Sequence, residues 1–148
     1  MIGLTKEADG ALRIVWLLGK TGRVTDAGTI AESVAVSPKF TLKILRRLLQ
    51  GGIVTAQRGK SGGYALAVPP SDINVRQLVE LIDGPIAINR CQEQDYFCSR
   101  MGYQKDACSF HCLFAAVSDR LAMDLERVTL EMMLSDMSCP SEFLTSKK

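Results

Sequence analysis

Four of the five cysteines and the only histidine of this chain lie between positions 91 and 112. Six residues separate Cys91 from Cys98, nine separate Cys98 from Cys108, and His111 and Cys112 follow within four positions. A single cysteine is usually a small buried hydrophobic residue, whereas several thiols and an imidazole close together in a turn-rich segment can surround one soft metal centre. The segment therefore predicts metal or redox chemistry, and the odd number of cysteines disfavours a disulfide framework.

The residues alone leave the kind of centre open. Structural zinc sites usually have paired short spacings such as Cys-x2-Cys, which are absent from this segment. An iron-sulfur cluster is the alternative to zinc, and buried thiols without any metal are a third interpretation. Cys139 lies well beyond the group, in a tail expected to be flexible, and we interpret it as incidental to the site.

The formal net charge of +2 conceals an asymmetry along the chain. Residues 1–70 carry ten Lys and Arg against four acidic residues, whereas residues 71–148 carry eight against twelve. No acidic residue lies between Ser33 and Ser71, although six basic residues do. A block of one sign predicts a polyanionic partner, for which double-stranded promoter DNA is the candidate.

The basic block overlaps a predicted helix-turn-helix. Thr5 can cap a first helix that runs to about Gly19, and Thr25-Asp26 can start a second. Ser37-Pro38 is a strong start signal for a third helix, with the serine accepting from the exposed amides, and Gly51-Gly52 ends it. The second and third helices are therefore expected to form a DNA-binding pair.

The third helix is predicted to enter the DNA major groove. At 100° per residue, Lys39, Lys43 and Arg46 share one stripe, with Phe40 and Arg47 beside it. The opposite side, predicted to face the core, carries Leu42, Leu45, Leu48 and Leu49. A solvated charged face is the alternative, but one basic and one apolar face are typical of a recognition helix.

Two extended stretches, Ile53 to Arg58 and Tyr64 to Val68, flank a glycine-rich loop and predict a β-wing. Pro69-Pro70 prevents further strand pairing. Arg58 and Lys60 at the tip of the wing could reach phosphates or the minor groove. The residues predicted to contact DNA are Ser37, Lys39, Phe40, Thr41, Lys43, Arg46, Arg47, Arg58, Lys60, Gly62 and Gly63.

Downstream of the cysteines, apolar residues recur every three or four positions over roughly 30 Å of helix. These are Leu113, Val117, Leu121, Leu125, Val128 and Met132. Little else in the chain can cover this face, so it is predicted to pack against its copy in a homodimer whose two-fold symmetry suits two DNA half-sites.

The predicted fold is mainly α: a winged helix-turn-helix with a two-stranded β-wing, plus a long C-terminal dimerisation helix. Its expected parts are a DNA-binding domain (1–85), a cysteine-rich cluster-binding segment (86–112), the dimerisation helix (113–136) and a flexible tail (137–148). No export signal or apolar run long enough to cross a bilayer is evident, so we expect a cytoplasmic protein without a membrane partner. An enzyme is not expected, because no nucleophile-base pair or phosphate loop is evident.

Several short motifs together resemble the IscR/NsrR/RirA family of bacterial winged-helix transcription regulators. They are Leu4-Thr5, Asp9 to Arg13, Ser37-Pro38, Arg58 to Tyr64, Asp83 to Pro85 and the spaced cysteines, and the resemblance runs from Leu4 to about Ser135. The wing and the cysteines together are specific, whereas either alone would be weak. The resemblance implies a dimer that binds promoter DNA and carries a [2Fe-2S] or [4Fe-4S] cluster.

Carried over to this chain, the family's three cysteine ligands fall on Cys91, Cys98 and Cys108. One subgroup of the family uses a histidine three residues after the third cysteine, where this chain has His111. Another uses a first-helix aspartate, which corresponds to Asp9 of the partner subunit. This chain departs from both subgroups in its longer cysteine gaps and in Cys112, which is a further candidate for the fourth ligand.

The resulting hypothesis is a transcriptional regulator, of the repressor type, that senses iron-sulfur, iron, nitric oxide or redox status through the cluster. One alternative is a winged-helix regulator without a cluster, or with zinc, that responds to a protein partner or a metabolite. An iron-sulfur electron carrier is a weaker alternative, because it would not need the acid-free basic block.

Overall fold

The structure is a computed structural model that describes residues 3–93, 95–102 and 104–135, apart from the side chain of Lys105. The predicted flexible tail and Cys139 lie outside the described residues. Three helices open the chain as predicted: α1 (Lys6–Thr21), α2 (Ala27–Val34) and α3 (Pro38–Gln50).

The helix starts follow local capping chemistry in two cases out of three. Thr5 Oγ1 accepts a hydrogen bond from a backbone amide of the first turn of α1. At α2, Asp26 accepts from both the amide and the hydroxyl of Thr29, and these bonds hold the pKa of the Asp26 carboxyl below its usual value. The prediction that Ser37 accepts at the start of α3 is wrong, because its side chain makes no capping bond. Pro38, whose fixed φ suits the first helical position, is sufficient there.

The β-wing consists of two short antiparallel strands, β1 (Val54–Gln57) and β2 (Gly63–Leu66), with Val54 opposite Leu66. Both are shorter than the predicted extended stretches. Thr25 and Tyr64 exchange two backbone hydrogen bonds of 2.9 and 2.8 Å. The wing is therefore tied to the start of the helix-turn-helix.

The fourth helix, α4 (Val75–Asp83), is capped by Asn74 as predicted and ends at Gly84. It packs against α1 and closes one core with the first three helices and β1. Each large aliphatic side chain that is fully buried there contributes roughly 1.5–3 kcal/mol. The largest of them are Ile14, Leu18, Ile30, Ile44, Leu45, Leu48, Ile53 and Ile73.

The prediction of one long C-terminal helix over 113–136 is wrong. The structure has two helices there, α5 (Ser109–Glu126) and α6 (Leu130–Leu134). Between them the Val128 carbonyl accepts from the amide of Val75 at 2.9 Å, and the Leu130 amide donates to the Ile73 carbonyl at 2.7 Å. Val128 and Leu130 are buried in the same chain, so the last part of the predicted apolar stripe serves this subunit's own core.

Between α4 and α5, the described residues have little regular structure beyond two short 3-10 turns, Arg90–Gln92 and Lys105–Ala107. This cysteine-bearing stretch packs on α5. Among the residues that the structure describes, no helix combines the length and the apolarity needed to cross a bilayer.

Candidate functional site

Helix α3 presents a basic surface away from the core. Ser37, Lys39, Lys43 and Arg46 are exposed, and Phe40 and Arg47 are half-buried. Only a narrow stripe of α3 faces the core, composed of Thr41, Ile44, Leu45 and Leu48. The polarity of α3 therefore follows the predicted helical wheel in outline.

Two features of α3 differ from the predictions. Thr41 was predicted to contact DNA, but its side chain is fully buried, so we omit it from the candidate interface. Leu42 and Leu49 were predicted to face the core, but they are 49% and 42% exposed. Positions 41, 44, 45 and 48 already complete the buried stripe, and residues one step further around the helix lie outside it.

An acid on α1, which the sequence analysis missed, partly neutralises this basic surface. The Nζ of Lys43 lies 2.6 Å from Oε2 of Glu7, and the Nη1 of Arg47 lies 3.5 Å from Oε1 of Glu7. Arg47 also donates to the Leu81 carbonyl at 3.1 Å. The acid-free block in the sequence does not predict these ion pairs, because Glu7 lies outside the block.

The remaining cations of α3 have no such constraint. Within the described part of the chain, no acidic side chain pairs with Lys39 or Arg46. Arg58 and Lys60 at the wing tip are exposed. Among the cations of α3 and the wing, these four side chains are therefore the most available to a polyanion.

Gly62 and Gly63 have a structural reason to be glycine. A Cβ on Gly62 would lie 2.4 Å from the carbonyl oxygen of Gln57, and one on Gly63 would lie 2.4 Å from that of Thr25. Both contacts are far shorter than a carbon and an oxygen tolerate. The predicted backbone contact of these glycines with DNA remains a prediction, but their identity follows from the folding of the wing.

The cysteine segment encloses a cavity of about 230 Å³ beside the start of α5. Its walls include the three predicted cysteine ligands and the predicted histidine, but not Cys112 or this chain's own Asp9. The lining residues are Asn89, Cys91, Tyr96, Cys98, Arg100, Met101, Cys108, Phe110 and His111. Residues from positions 89 to 111 thus line one cavity.

Each ligand candidate is positioned by a local backbone feature. Cys91 lies in the 3-10 turn that Asn89 caps. Cys98 and Gly102 exchange backbone hydrogen bonds of 3.2 and 2.7 Å across a tight loop, and Gly102 adopts the left-handed φ of 58° that this loop requires. Cys108 occupies the position just before α5, which places His111 in the first turn of that helix.

The imidazole of His111, in the wall of this cavity, has a ring nitrogen without a hydrogen-bond partner in the described part of the chain. Its Nδ1 is buried and has no hydrogen-bond partner among the described residues, and its Nε2 lies 3.8 Å from Oδ1 of Asp106, beyond hydrogen-bond distance. A buried nitrogen without a partner costs free energy unless a donor or a metal satisfies it. The exposed Cys112 thiol, in contrast, already donates to the Asp106 carbonyl at 3.4 Å.

The donor types in this cavity, thiols and an imidazole, are accepted as ligands by both iron-sulfur clusters and zinc. In the described ranges, no three His, Cys, Asp or Glu side chains converge closely enough to hold one metal ion. A tetrahedral zinc site needs such convergence, whereas a cluster distributes its ligands over more than one iron. The described side chains therefore do not form a ready site for a single zinc ion.

Comparison with known proteins places these features in a family. Residues 4–136 match the family model of Rrf2, described as an iron-dependent transcriptional regulator. A putative rrf2-like HTH-type transcriptional regulator of Rhodobacter capsulatus is 35% identical over 72% of this chain and 71% of its own length. The HTH-type transcriptional regulator IscR of Photorhabdus laumondii is 31% identical over 72% of this chain, but over only 62% of its own length, less than two thirds.

Solved structures share the fold. The structure of CymR, the global cysteine regulator of B. subtilis, superposes with a TM-score of 0.72 at 22% identity and covers 93% of this chain and all of its own. IscR of T. potens superposes with a TM-score of 0.70 at 20% identity, covering 90% of this chain and 87% of that one. The named relatives are transcriptional regulators and not enzymes. With a winged helix-turn-helix and a family match over nearly its whole length, this chain belongs to the Rrf2 family of transcriptional regulators.

Proposed function

We propose that this protein is a homodimeric, DNA-binding repressor of the bacterial cytoplasm that reports iron-sulfur, iron, nitric oxide or redox status through a cysteine-ligated iron-sulfur cluster. The observation that carries this proposal is the cavity that Cys91, Cys98, Cys108 and His111 all line. Its position at the start of α5 connects ligand chemistry to the helix that packs on the DNA-binding domain.

On the DNA side, α3 enters the major groove and the wing lies along the backbone. Lys39 and Arg46 on α3, with Arg58 and Lys60 on the wing, contact phosphates or base edges. Lys43 and Arg47 take part after exchanging Glu7 for phosphate. The exposed Ser37 and the half-buried Phe40, Gly62 and Gly63 complete the proposed interface.

On the sensing side, three thiolates and His111 hold the cluster, which supplies a centre that can be lost or oxidised. A non-thiolate fourth ligand leaves one iron more readily exchanged, as a sensor needs. The orphaned Nδ1 of His111 supports this residue as the fourth ligand. Cys112 and Asp9 of the partner subunit are the remaining candidates for that place.

The proposed dimer is formed through α5. Phe110, Leu113, Val117 and Leu121 follow one another at intervals of three or four residues and are all at least 39% exposed. An apolar stripe of this length on one helix face is suited to pack against a second copy of itself about a two-fold axis. Such a dimer presents two α3 helices to two DNA half-sites.

A regulator without a cluster that binds a metabolite is the second candidate, favoured by a separate cavity of about 730 Å³ between α1, the end of α2, α4, α5 and α6. This volume is within the range of small-molecule sites. Its walls are apolar, with Trp16, Leu78 and Leu125 among them, and Arg13 and Asp124 supply charge.

Anaerobic purification separates the two candidates. The cluster hypothesis predicts a coloured protein that contains iron and acid-labile sulfide in similar molar amounts. The DNA affinity of the same sample should change when the cluster is removed. A colourless, zinc-loaded protein with unchanged DNA affinity would refute the cluster-sensing function.

Analytical ultracentrifugation tests the α5 interface. Wild type should sediment as a dimer and Val117→Glu as a monomer.

A further inference from the structure

Ser118 is one of the few polar residues that are buried in the described part of the chain, and it lies in the middle of α5 with 2% of its surface exposed. Together with Ala122 it forms the narrow buried face of this helix. Helix α5 packs against α4 of the DNA-binding domain and against the cysteine segment. A buried hydroxyl at this position needs hydrogen-bond partners.

The partners of Ser118 come from the cysteine segment. Its hydroxyl donates to Oε1 of Gln92 at 2.9 Å and accepts from the amide of Ile88 at 3.0 Å. Gln92 Oε1 also accepts from the amides of Ile88 and Asn89 at 2.9 and 3.2 Å. The side-chain oxygen of Gln92 therefore binds the backbone just before Cys91 and links it to α5.

The contact between Gln92 and Ser118 lies close in sequence to two of the ligand candidates. Gln92 directly follows Cys91 within one 3-10 turn, and Ser118 is ten residues beyond Cys108 on the helix that Cys108 begins. The contact therefore joins the first and third ligand candidates by a route outside the cavity. A movement of Cys91 cannot leave Gln92 in place, because the two residues share one turn of backbone.

We propose that Gln92 and Ser118 are positioning residues that transmit the ligation state of Cys91 to α5, and through its packing on α4 to the DNA-binding domain. This inference rests on the proposed cluster-sensing function. When the Cys91 thiolate is ligated, the turn Arg90–Gln92 holds Gln92 Oε1 on Ser118. When ligation is lost, the turn relaxes and the buried Ser118 of α5 loses its hydrogen bonds to this segment.

The test uses Gln92→Ala and Ser118→Ala in the full-length protein, with Gln92→Glu as a conservative variant that keeps the acceptor oxygen. Both alanine variants should keep the wild-type iron content and spectrum. The ratio of DNA affinities with and without cluster should fall from the roughly 5–150-fold that is typical of coupled sites towards one. Gln92→Glu should preserve the wild-type ratio.

Hydrogen exchange is a second readout, and it does not need DNA. The Ile88 and Asn89 amides of wild type should exchange faster without the cluster than with it, whereas in Gln92→Ala they should exchange fast in both states, because both amides lose their acceptor. Ser118→Ala changes no residue of the cysteine segment, so it separates loss of this contact from disturbed ligand geometry.

Wild-type coupling retained in both alanine variants would overturn the positioning role. A wild-type protein whose DNA affinity is the same with and without cluster would instead overturn the sensing function itself, and this inference with it. The two failures differ in which protein shows them.

Discussion

The Nζ of Lys43 on α3 lies 2.6 Å from Oε2 of Glu7 on α1. Glu7 is only 14% exposed and also faces Arg47, so one carboxylate from the first helix lies beneath two cations of the proposed recognition helix. The basic surface of α3 therefore has two parts: Lys39 and Arg46 extend into solvent, whereas Lys43 and Arg47 are held against the protein.

Replacing Glu7 with glutamine should strengthen non-specific DNA binding. The variant keeps the side-chain volume but releases Lys43 for phosphate. The lysine of this pair is 59% exposed, so the pair is worth up to about 1 kcal/mol, which corresponds to a gain of roughly five-fold. The slope of log affinity against log salt should steepen by about one unit. Fluorescence anisotropy on a random duplex measures both, with Glu131→Gln on α6 as the control. Weaker binding at an unchanged slope would mean that Glu7 orients Lys43 for DNA instead of competing with it.

Removing the guanidinium of Arg46 should weaken DNA binding. Arg46→Ala deletes a cation that no described acid neutralises, so the salt slope should fall by about one unit if the contact is a phosphate. Arg46→Lys should keep the slope, since the charge remains. Arg120→Ala is the matched control, because Arg120 lies on the surface of α5, outside the proposed DNA interface. It pairs with Asp124 one turn along the same helix. An unaltered affinity in Arg46→Ala would remove this residue from the interface.

Gly63→Ala should destabilise the domain even without DNA. Its Cβ would lie 2.4 Å from the carbonyl oxygen of Thr25, and the strand must shift, breaking the pairing of Thr25 with Tyr64. We expect a loss of about 1–3 kcal/mol in the free energy of unfolding by urea. Gly3→Ala, which meets nothing within 4 Å, should have no effect. Full stability in Gly63→Ala with lost DNA binding would assign this glycine to DNA contact alone.

The cap of α2 should make stability depend on acid. Hydrogen bonds from Thr29 hold the pKa of Asp26 below its ordinary value of 3.8, so the ionised cap stabilises the folded state above that pH. The contribution is lost as the pH falls through the lowered folded-state value. The melting temperature of wild type should therefore exceed that of Asp26→Asn near neutral pH, and the difference should narrow below about pH 3.8. A difference that is constant with pH would contradict the role of the charge.

The fourth ligand can be identified by comparing two neighbouring residues. His111→Ala should bind cluster but lose its visible absorption faster in air, because one iron loses its protein ligand. Cys112→Ser should match wild type, since Cys112 lies outside the cavity lining and bonds to the Asp106 carbonyl. Faster bleaching in Cys112→Ser alone would transfer the role to that thiol. Wild-type bleaching in both variants would favour Asp9 of the partner subunit.

The first 85 residues were largely predictable because their signals are local. Thr5, Asp26 and Asn74 cap helices through side chains that reach amides three residues away, and these bonds need no tertiary contact. The third helix began at Pro38 although Ser37 makes no capping bond, so the correct boundary followed from the proline. The family match over residues 4–136 agrees with the resemblance read from short motifs.

The C-terminal part was less predictable because apolar periodicity does not reveal what covers a helix. The apolar stripe from Leu113 to Met132 keeps its helical spacing through Val128, where the helix itself is interrupted. Backbone hydrogen bonds of Val128 with Val75 and of Leu130 with Ile73 hold the chain at this break, and α6 then packs against α1. Those bonds join residues more than 50 positions apart. No local pattern contains them.

The sequence by itself determined the winged helix-turn-helix, the basic block and the density of cysteines around His111, since each depends on residue types at short spacing. Only the tertiary structure decided which charges are available and which donors meet. Glu7 on α1 pairs with Lys43 on α3, and Gln92 in the cysteine segment accepts a hydrogen bond from Ser118 on α5. The Nδ1 of His111 is buried without a hydrogen-bond partner among the described residues. Such contacts depend on how the helices pack, and packing joins residues that are distant in sequence.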